Sequence, residues 1–521
     1  MSLAAEVTQI LAALGMSWVR MSIALIFSIL FSLCVGIPAA VNKLAEKVIV
    51  PALDVLQSIP ILSFFPIALY TFILIHPIIG PELAAIFLIF TSQAWNIAFG
   101  VYEGVRLIPP EILEVSDSLG FGRWRRIISL YIPAASPKIA NNLPPSWANG
   151  LYFLVACEMI TVGESKWRLF GIGTLSTSYI LAGRAIEFVI SLAALMAAII
   201  LMNLLIFIPL MRLGERYKFE ERAGEVPRVW IEKVSRRLSR VIRRAAPKAS
   251  LRTPEIRFTS KLWKISSILA LAVIFLLFGY YMSDKLSATS YRWVYDFLDG
   301  FARLGIIDPL TMIGFSLMRV FLAIIIALIW TIPVAILIYE KRVLERILIP
   351  SFQVIASFPA TIMLPLIAKL IIDLKLPLEL GALLMILLGT QWYLLFFLVD
   401  GLKSIPFDEE EVCRALGIGG FSKFKHLYLP RMLPSLIMGC LVAMGGGWNT
   451  LVVAERIIFQ GFVWDVGNPG IGRMLSIAVS AGDIPLLIAS TLWMAGFIVI
   501  LNRFFWRRLC EKAAEMVGAA R

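Results

Sequence analysis

The sequence predicts an all-α polytopic membrane protein built from two tandem five-helix cores plus one linking transmembrane helix, about 11 spans in all. Three observations carry that expectation. Of 521 residues, 59% are apolar and only 16% charged, whereas a soluble domain rarely exceeds ~50% apolar. Stretches such as 21–41, 262–282, 314–338 and 484–501 each supply the ~20 apolar residues that a helix needs to cross the hydrocarbon core. The chain also repeats its landmarks, in one order and at a nearly constant offset.

Arg20 pairs with Arg319, Pro51 with Pro350, Pro60 with Pro359 and Pro66 with Pro365. Further on, Gly104 pairs with Gly401, Pro109 with Pro406, Gly150 with Gly447 and Glu158 with Glu455. Gly171-Ile172-Gly173 answers to Gly470-Ile471-Gly472, Gly183 to Gly482 and Asn203 to Asn502. Single matched prolines arise by chance, but an ordered series marks a duplication. It covers roughly 18–215 and 317–515.

In the first half, spans fall near 20–41, 55–76, 83–105, 140–162 and 188–211. In the second they fall near 314–338, 353–374, 380–402, 434–456 and 484–503. An odd number per half would invert the second copy, and the additional span at 262–282 restores parallel orientation. Residues 1–215 and 284–521 thus form the two cores, with 216–283 holding a basic linker and the additional helix.

This count places the amino terminus outside and the carboxyl terminus in the cytoplasm of a plasma or inner membrane. Charge agrees with it. Lys43, Lys47, Arg123, Arg125, Arg126, Lys341, Arg342, Arg346, Lys423, Lys425, Arg503, Arg507 and Arg508 all fall inside, while Asp296, Asp299 and Asp308 fall outside, as the positive-inside rule requires. Between 212 and 264 stand 16 Lys/Arg against 6 Asp/Glu. A basic run between hydrophobic spans points to cytoplasm and anionic lipid, not to nucleic acid. Trp230, Val234, Leu238 and Val241 have the spacing of an interfacial helix, with a disordered tether as the alternative.

No secretory leader is visible at the start, which lacks a basic run followed by an apolar core. The five cysteines, Cys34, Cys157, Cys413, Cys440 and Cys510, fit neither a disulfide framework nor a zinc site and read as small apolar fillers.

The most informative repeat is polar. Glu114-Val115-Ser116-Asp117-Ser118-Leu119-Gly120 is followed by Phe121, Trp124 and Pro133. Glu411-Val412-Cys413-Arg414-Ala415-Leu416-Gly417 is followed by Ile418, Phe421 and Pro430. In each, a short helix should stop at a glycine in left-handed conformation, after which apolar knobs stand beside basic residues. Such a protrusion suits a groove on a soluble partner.

The paired loops resemble the cytoplasmic "EAA" loop of permeases in binding-protein-dependent ATP-driven (ABC) importers. Both keep the Glu, the Gly and the Pro of that motif, but Val115-Ser116 and Val412-Cys413 replace its Ala-Ala pair. Ala156-Cys157-Glu158-Met159 with Gly171-Ile172-Gly173, and Ala454-Glu455-Arg456 with Gly470-Ile471-Gly472, resemble a signature of nitrate, sulfonate, taurine and bicarbonate permeases. The resemblance implies a fused type I importer permease in which two five-helix cores alternate access about a pseudo-two-fold axis. It further implies two copies of an ABC ATPase gripping the loops around Gly120 and Gly417, and an extracellular solute-binding protein. ATP and Mg would sit on that ATPase, with no cofactor and no metal bound by this chain.

Candidate pathway groups are the mid-span polar and aromatic residues Gln93, Trp95, Asn96, Trp147, Asn149, Gln391, Trp392, Trp448 and Asn449. Gly445 to Gly447 should let the second half approach the axis, so Asn449 and Gln391 are expected to contribute most. Glu158 and Glu455 read either as functional intramembrane carboxylates or as structural groups that hold the loop ahead of each Gly-Ile-Gly turn. No Arg or Lys is expected at mid-membrane as a permanent anion site, and Lys369 reads as snorkelling from an outer end.

The chain has no Gly-x-x-x-x-Gly-Lys-Ser/Thr phosphate loop and only two histidines, His76 and His426. No nucleophile-and-base set suggests an enzyme. The expected solute is a small inorganic or organic anion. A neutral or cationic nutrient on the same machine is one alternative, and a secondary transporter built from duplicated halves is another.

Overall fold

The computed structural model describes residues 3–61, 68–69, 71–73, 76–158, 161–162, 165–166, 169–217, 298–459 and 462–518. The additional span at 262–282 and the linker helix around Trp230 therefore lie outside the described residues.

The first half runs α1 (Leu3–Val41), α2 (Lys43–Ser58), α3 (Gly80–Arg106), α4 (Pro110–Ser118), α5 (Ile132–Glu158), the strands β1 (Thr161–Val162) and β2 (Ser165–Lys166), α6 (Ile172–Leu181) and α7 (Ala185–Met202). The second repeats it as α8 (Ile307–Glu340), α9 (Arg342–Ala356), α10 (Ala360–Asp373), α11 (Leu378–Lys403), α12 (Phe407–Ala415), α13 (Leu429–Glu455), β3 (Arg456–Phe459), β4 (Phe462–Asp465), α14 (Ile471–Ala481), α15 (Ile484–Leu501) and α16 (Arg507–Gly518). Among the described residues, seven helices are long and apolar enough to cross a membrane, or eight if α9 and α10 make one broken span.

That broken span corrects one expectation. The span expected near 353–374 is interrupted: α9 and α10 meet at 79°. Pro359 is the reason, since a proline disfavours helical geometry in the residue before it. The chain leaves α9 at Ser357 and restarts after Pro359, whose ψ of 107° is extended. The matched Pro60 ends α2 in the same way, with Ile59 extended at ψ 125°. The two antiparallel hairpins, β1–β2 and β3–β4, are also additions to the all-α expectation.

Small residues seat the long helices against each other, as packing inside a bilayer requires. Ser28, Ser32 and Gly36 stripe one face of α1. The Ser28 hydroxyl donates to Phe90 O (3.2 Å) and that of Ser32 to Ala94 O (3.2 Å) on α3, and a Cβ at Gly36 would sit 2.8 Å from Val101. On α8 the matched positions are Ala327, Thr331 and Ala335, all buried. Four π-turns, at Ile127–Tyr131, Asn203–Phe207, Phe424–Tyr428 and Asn502–Trp506, stand at matched places. The first and third lead into Pro133 and Pro430, whose missing N–H leaves the preceding turn to find another pairing.

Candidate functional site

Three constellations stand out along the α3–α5 and α11–α13 helix pairs: one at each end and one between the halves. At one end is a buried clasp, present in both halves. The Arg20 guanidinium binds Glu82 through Nε (2.5 Å) and Glu158 through Nη1 (2.9 Å), and it donates to Phe170 O (2.9 Å). Ser17 donates to Glu158 and accepts from the Ile172 amide, while the Gly173 amide donates to the other Glu158 oxygen at 2.8 Å. The second half repeats this wiring: Arg319 holds Glu379 (2.7 Å) and Glu455 (2.5 Å) and reaches Pro469 O (3.0 Å). Ser316 bridges Glu455 and the Ile471 amide, and the Arg473 amide closes the set at 2.8 Å.

Glu158 and Glu455 are fully buried, and Arg20 and Arg319 are 2% and 3% exposed. A charge in that position is tolerable only when paired and hydrogen-bonded throughout, and here each carboxylate is. Each also sits at the start of α6 or α14, where a helix amino terminus favours negative charge. The Gly-Ile-Gly turns supply the room, because a Cβ at Gly171 or Gly470 would overlap the carboxylate. Glu158 and Glu455 thus hold the loop ahead of each Gly-Ile-Gly turn, as the structural reading expects. Helix α1 begins at Leu3, not near residue 20, so Arg20 lies inside the helix, where the clasp commits it to Glu82 and Glu158.

The second half adds to its clasp. Asn468 donates to Glu379 at 2.8 Å, and Asp465 takes Arg473 (2.6 Å) and Arg456 (3.2 Å). Partial burial opposes the charge on Asp465, but Arg473, the Gly467 amide and Arg456 outweigh it and hold the carboxyl below its usual range.

At the opposite end of the same helix pairs are the repeated loops. Helix α4 closes on Gly120 with φ 65°, and α12 on Gly417 with φ 66°. Phe121 N donates to Ser116 O (3.0 Å) and Gly120 N to Asp117 O (2.9 Å). Ile418 N and Gly417 N donate likewise to Cys413 O (2.8 Å) and Arg414 O (3.2 Å). This double bond is the Schellman closure, which the left-handed glycine makes possible. Trp124 and Phe421, at matched positions, are 60% and 77% exposed, and Leu119 and Leu416 beside them are exposed too. Glu114 and Glu411 are exposed; Pro133 is half-buried and Pro430 exposed.

The loops differ in how they are anchored. Behind α12, Tyr428 donates to Glu340 at the end of α8 (3.0 Å), Arg431 binds Glu409 (2.7 Å) and Lys423 reaches Glu410 (3.4 Å). In the first half the matched partners of Glu340, Glu409, Glu410 and Arg431 are Val41, Ile112, Leu113 and Ala134. That loop keeps an internal pair, Arg126 with Asp117.

Between these ends the halves meet. The Ile61 amide, at the α2 elbow, donates to Asn449 Oδ1 at 2.8 Å. At the opposite elbow the Thr361 hydroxyl donates to Tyr152 O at 2.8 Å. The Tyr393 hydroxyl crosses to Asn149 Oδ1 at 3.0 Å, and the Tyr152 hydroxyl meets Thr450. Of the expected pathway groups, this places Asn149 and Asn449 at the contact.

The others lie elsewhere. Gln93 is fully buried inside the first half, against Gly150, and its amide makes no hydrogen bond among the described residues. Asn96 is half-buried, and Gln391 is buried within α11. Trp392 stacks inside the second half on Trp330 and Phe352. The glycine run also acts within its own half: a Cβ at Gly447 would strike Val320 at 2.7 Å, and one at Gly446 would come within 3.0 Å of the Tyr393 ring. Tyr393 went unread in the sequence because a mid-span aromatic is ordinarily core. The available signal was its match to Asn96, an unlike residue at the same place.

Among the described residues no group of His, Cys, Asp and Glu could hold a metal ion. The family described as "Binding-protein-dependent transport system inner membrane component" matches the chain twice, at 14–217 and 320–505. The nitrate import permease protein NrtB of Leptolyngbya laminosa is 28% identical over 191 residues, 36% of this chain and 66% of that one. The putative aliphatic sulfonates transport permease protein SsuC of Escherichia coli strain K12 is 31% identical over 131 residues, 25% and 45% of the two chains. The taurine transport system permease protein TauC of the same strain is 28% identical over 200 residues, 38% and 66%. The matches thus span between 45% and 66% of these relatives' lengths.

Proposed function

Because the chain belongs to the inner-membrane components of binding-protein-dependent transport systems, we propose that it is the fused membrane subunit of an ATP-driven importer. In this reading it carries both halves of one alternating-access pathway. The observation that carries the proposal is the pair of exposed loops closing at Gly120 and Gly417, alike in backbone and carrying aromatic knobs at matched positions. Two identical turns at one end of two matched helix pairs suit a two-fold soluble motor, here two copies of an ATPase. Closing that motor would drive the loops together. The helix pairs α3–α5 and α11–α13 run from the loops to the clasps, and each clasp would make its helix pair move as one lever. The contact around Asn149 and Asn449 would then open and close.

A small anion is the proposed solute, on the strength of relatives named for nitrate, aliphatic sulfonates and taurine. A separate binding protein would deliver it to the clasp end. With Trp124 and Phe421 inside, the amino terminus is outside and the carboxyl terminus inside. Cysteines at Ser422 and at Asp299, both exposed, test this orientation: in intact cells an impermeant thiol reagent should label only the latter.

The coupling test uses the subunit reconstituted with its ATPase and binding protein. Nitrate, bicarbonate, taurine and methanesulfonate are offered in turn, and solute-stimulated ATP hydrolysis is measured. Gly120→Val and Gly417→Val should each abolish ATPase capture, because a β-branched residue is strained at positive φ. Uptake at the unmodified rate in both variants, or uptake without ATP, would favour a secondary transporter.

A further inference from the structure

The contact between the halves is chemically lopsided, and this says where the solute is held. Tyr393 stands on α11 with its ring against the bare backbone of Gly446 (3.0 Å to a would-be Cβ). That seat aims its hydroxyl across to Asn149 Oδ1 on α5, at 3.0 Å. The positions matched to these two are Asn96 and Gly446. A glycine has no side chain to accept from Asn96, so the pseudo-symmetric counterpart of this bond cannot exist. There is one such bond per molecule.

Its surroundings supply neutral donors. The Tyr152 hydroxyl meets Thr450, and Asn149 keeps its Nδ2 hydrogens beside the bond. The guanidinium groups of Arg20 and Arg319 are each committed to two carboxylates. A solute at the contact would therefore be bound by hydroxyl and amide donors, which recognise acceptor oxygens without a fixed counter-charge. Such a site holds an oxyanion weakly enough to release it, as conduction demands.

We propose that the Tyr393–Asn149 pair is the gate of the pathway and its single solute-recognition point, for a small oxygen-bearing anion. When the halves part, the Tyr393 hydroxyl gives up Asn149 Oδ1 and donates to a solute oxygen instead, so opening and recognition use the same proton donor. This rests on the importer reading above, but its gate component can be tested without any ATPase.

The experiment compares wild type, Tyr393→Phe, Asn149→Leu and Tyr179→Phe in liposomes. Tyr179 is the control, since its hydroxyl is buried away from the contact and has no hydrogen-bond partner among the described residues. In the first arm, liposomes with the subunit alone are loaded with nitrate and its efflux is followed. Tyr393→Phe and Asn149→Leu should each raise efflux at least about fivefold, by removing one of the bonds that hold the halves together, with Tyr179→Phe at the wild-type rate. Wild-type efflux from both contact variants, or equal leak from the control, overturns the gate.

In the second arm, ATPase and binding protein are added and uptake of the same four solutes is titrated. Tyr393→Phe should raise the half-saturating concentration about tenfold, the scale of one lost hydrogen bond. Tyr179→Phe, whose hydroxyl lies away from the contact, should stay near wild type. Equal shifts in the two variants overturn recognition by Tyr393. An ATP-independent wild type, with the efflux pattern intact, would sink the importer reading and leave the gate standing.

Discussion

The clasps and the central contact, each present in both halves, have fared differently since the duplication. In the clasps, Ser17, Arg20, Glu82 and Glu158 reappear as Ser316, Arg319, Glu379 and Glu455 with the same bonds. At the centre, Asn149, Tyr152 and Tyr393 are answered in the other half by Gly446, Asn449 and Asn96, all unlike residues. The difference follows from cost. A buried carboxylate that loses its arginine is left charged in a medium that cannot solvate it, at about 3–5 kcal/mol, so no single change in the clasp is cheap. Neutral hydroxyls and amides at a partly buried contact cost about 0.5–1.5 kcal/mol each, which leaves them free to change.

The packed interiors lie between those extremes, because they change in compensating pairs. Gly100 makes room for Asn142 in the first half, whereas in the second Gly439 makes room for Phe397. Trp147 packs on Phe207, and the matched pair is Met444 with Trp506, whose indole N–H points at the sulfur at 3.2 Å. Large and small have exchanged sides while the summed volume is kept, as dense interiors require.

The largest expected effect tests the equality of the clasps. Arg20→Met and Arg319→Met should each destabilise the detergent-purified protein by about 3–5 kcal/mol, read as a fall in melting temperature or loss of folded yield. If one half tolerates the change and the other does not, the clasps are not equivalent. Next, Gly171→Ala and Gly470→Ala should each cost about 1–3 kcal/mol, because the carboxylate they cradle cannot withdraw without breaking its bonds. An unchanged melting temperature in either would show that the glycine is not there to make room.

A smaller effect should separate the loops. Tyr428→Phe removes the tie to Glu340 and should cost about 1.5–3 kcal/mol, the scale of a hydrogen bond to a charged group. Tyr131→Phe, at the matched place, should be silent. Hydrogen exchange over 407–418 and 110–121 would reveal this as faster opening of the second loop alone. The least effect is expected at Gln93. Gln93→Met should raise stability by about 1 kcal/mol, since a buried amide without partners is expensive. A destabilised Gln93→Met would mean that this amide is satisfied after all.

Much of this was legible in the residues. Ordered prolines and glycines disclosed the duplication, and the Glu-to-Gly spacing foretold the left-handed turns at Gly120 and Gly417. Glu158 and Glu455 were placed beside their Gly-Ile-Gly turns, with a structural role as one of two readings. Arg20 was misplaced because hydropathy counts apolar residues, and a helix that continues through Glu6 and Thr8 gives no apolar signal there. The 79° elbow was missed because a proline announces a break but not its angle. Trp392 and the glycine run were drawn toward the axis because sequence shows that a residue is mid-span without showing which way it faces. Tyr393 escaped for the same reason.

One bond between the halves bears on how the protein is inherited. Tyr393 needs Asn149 across from it, and two first halves would have no tyrosine to offer while two second halves would set that tyrosine opposite Gly446. Encoded separately, such halves would depend on matched gene dosage and would waste every like-with-like encounter. A single reading frame delivers one of each with every round of translation, which makes the fusion itself the device that fixes stoichiometry.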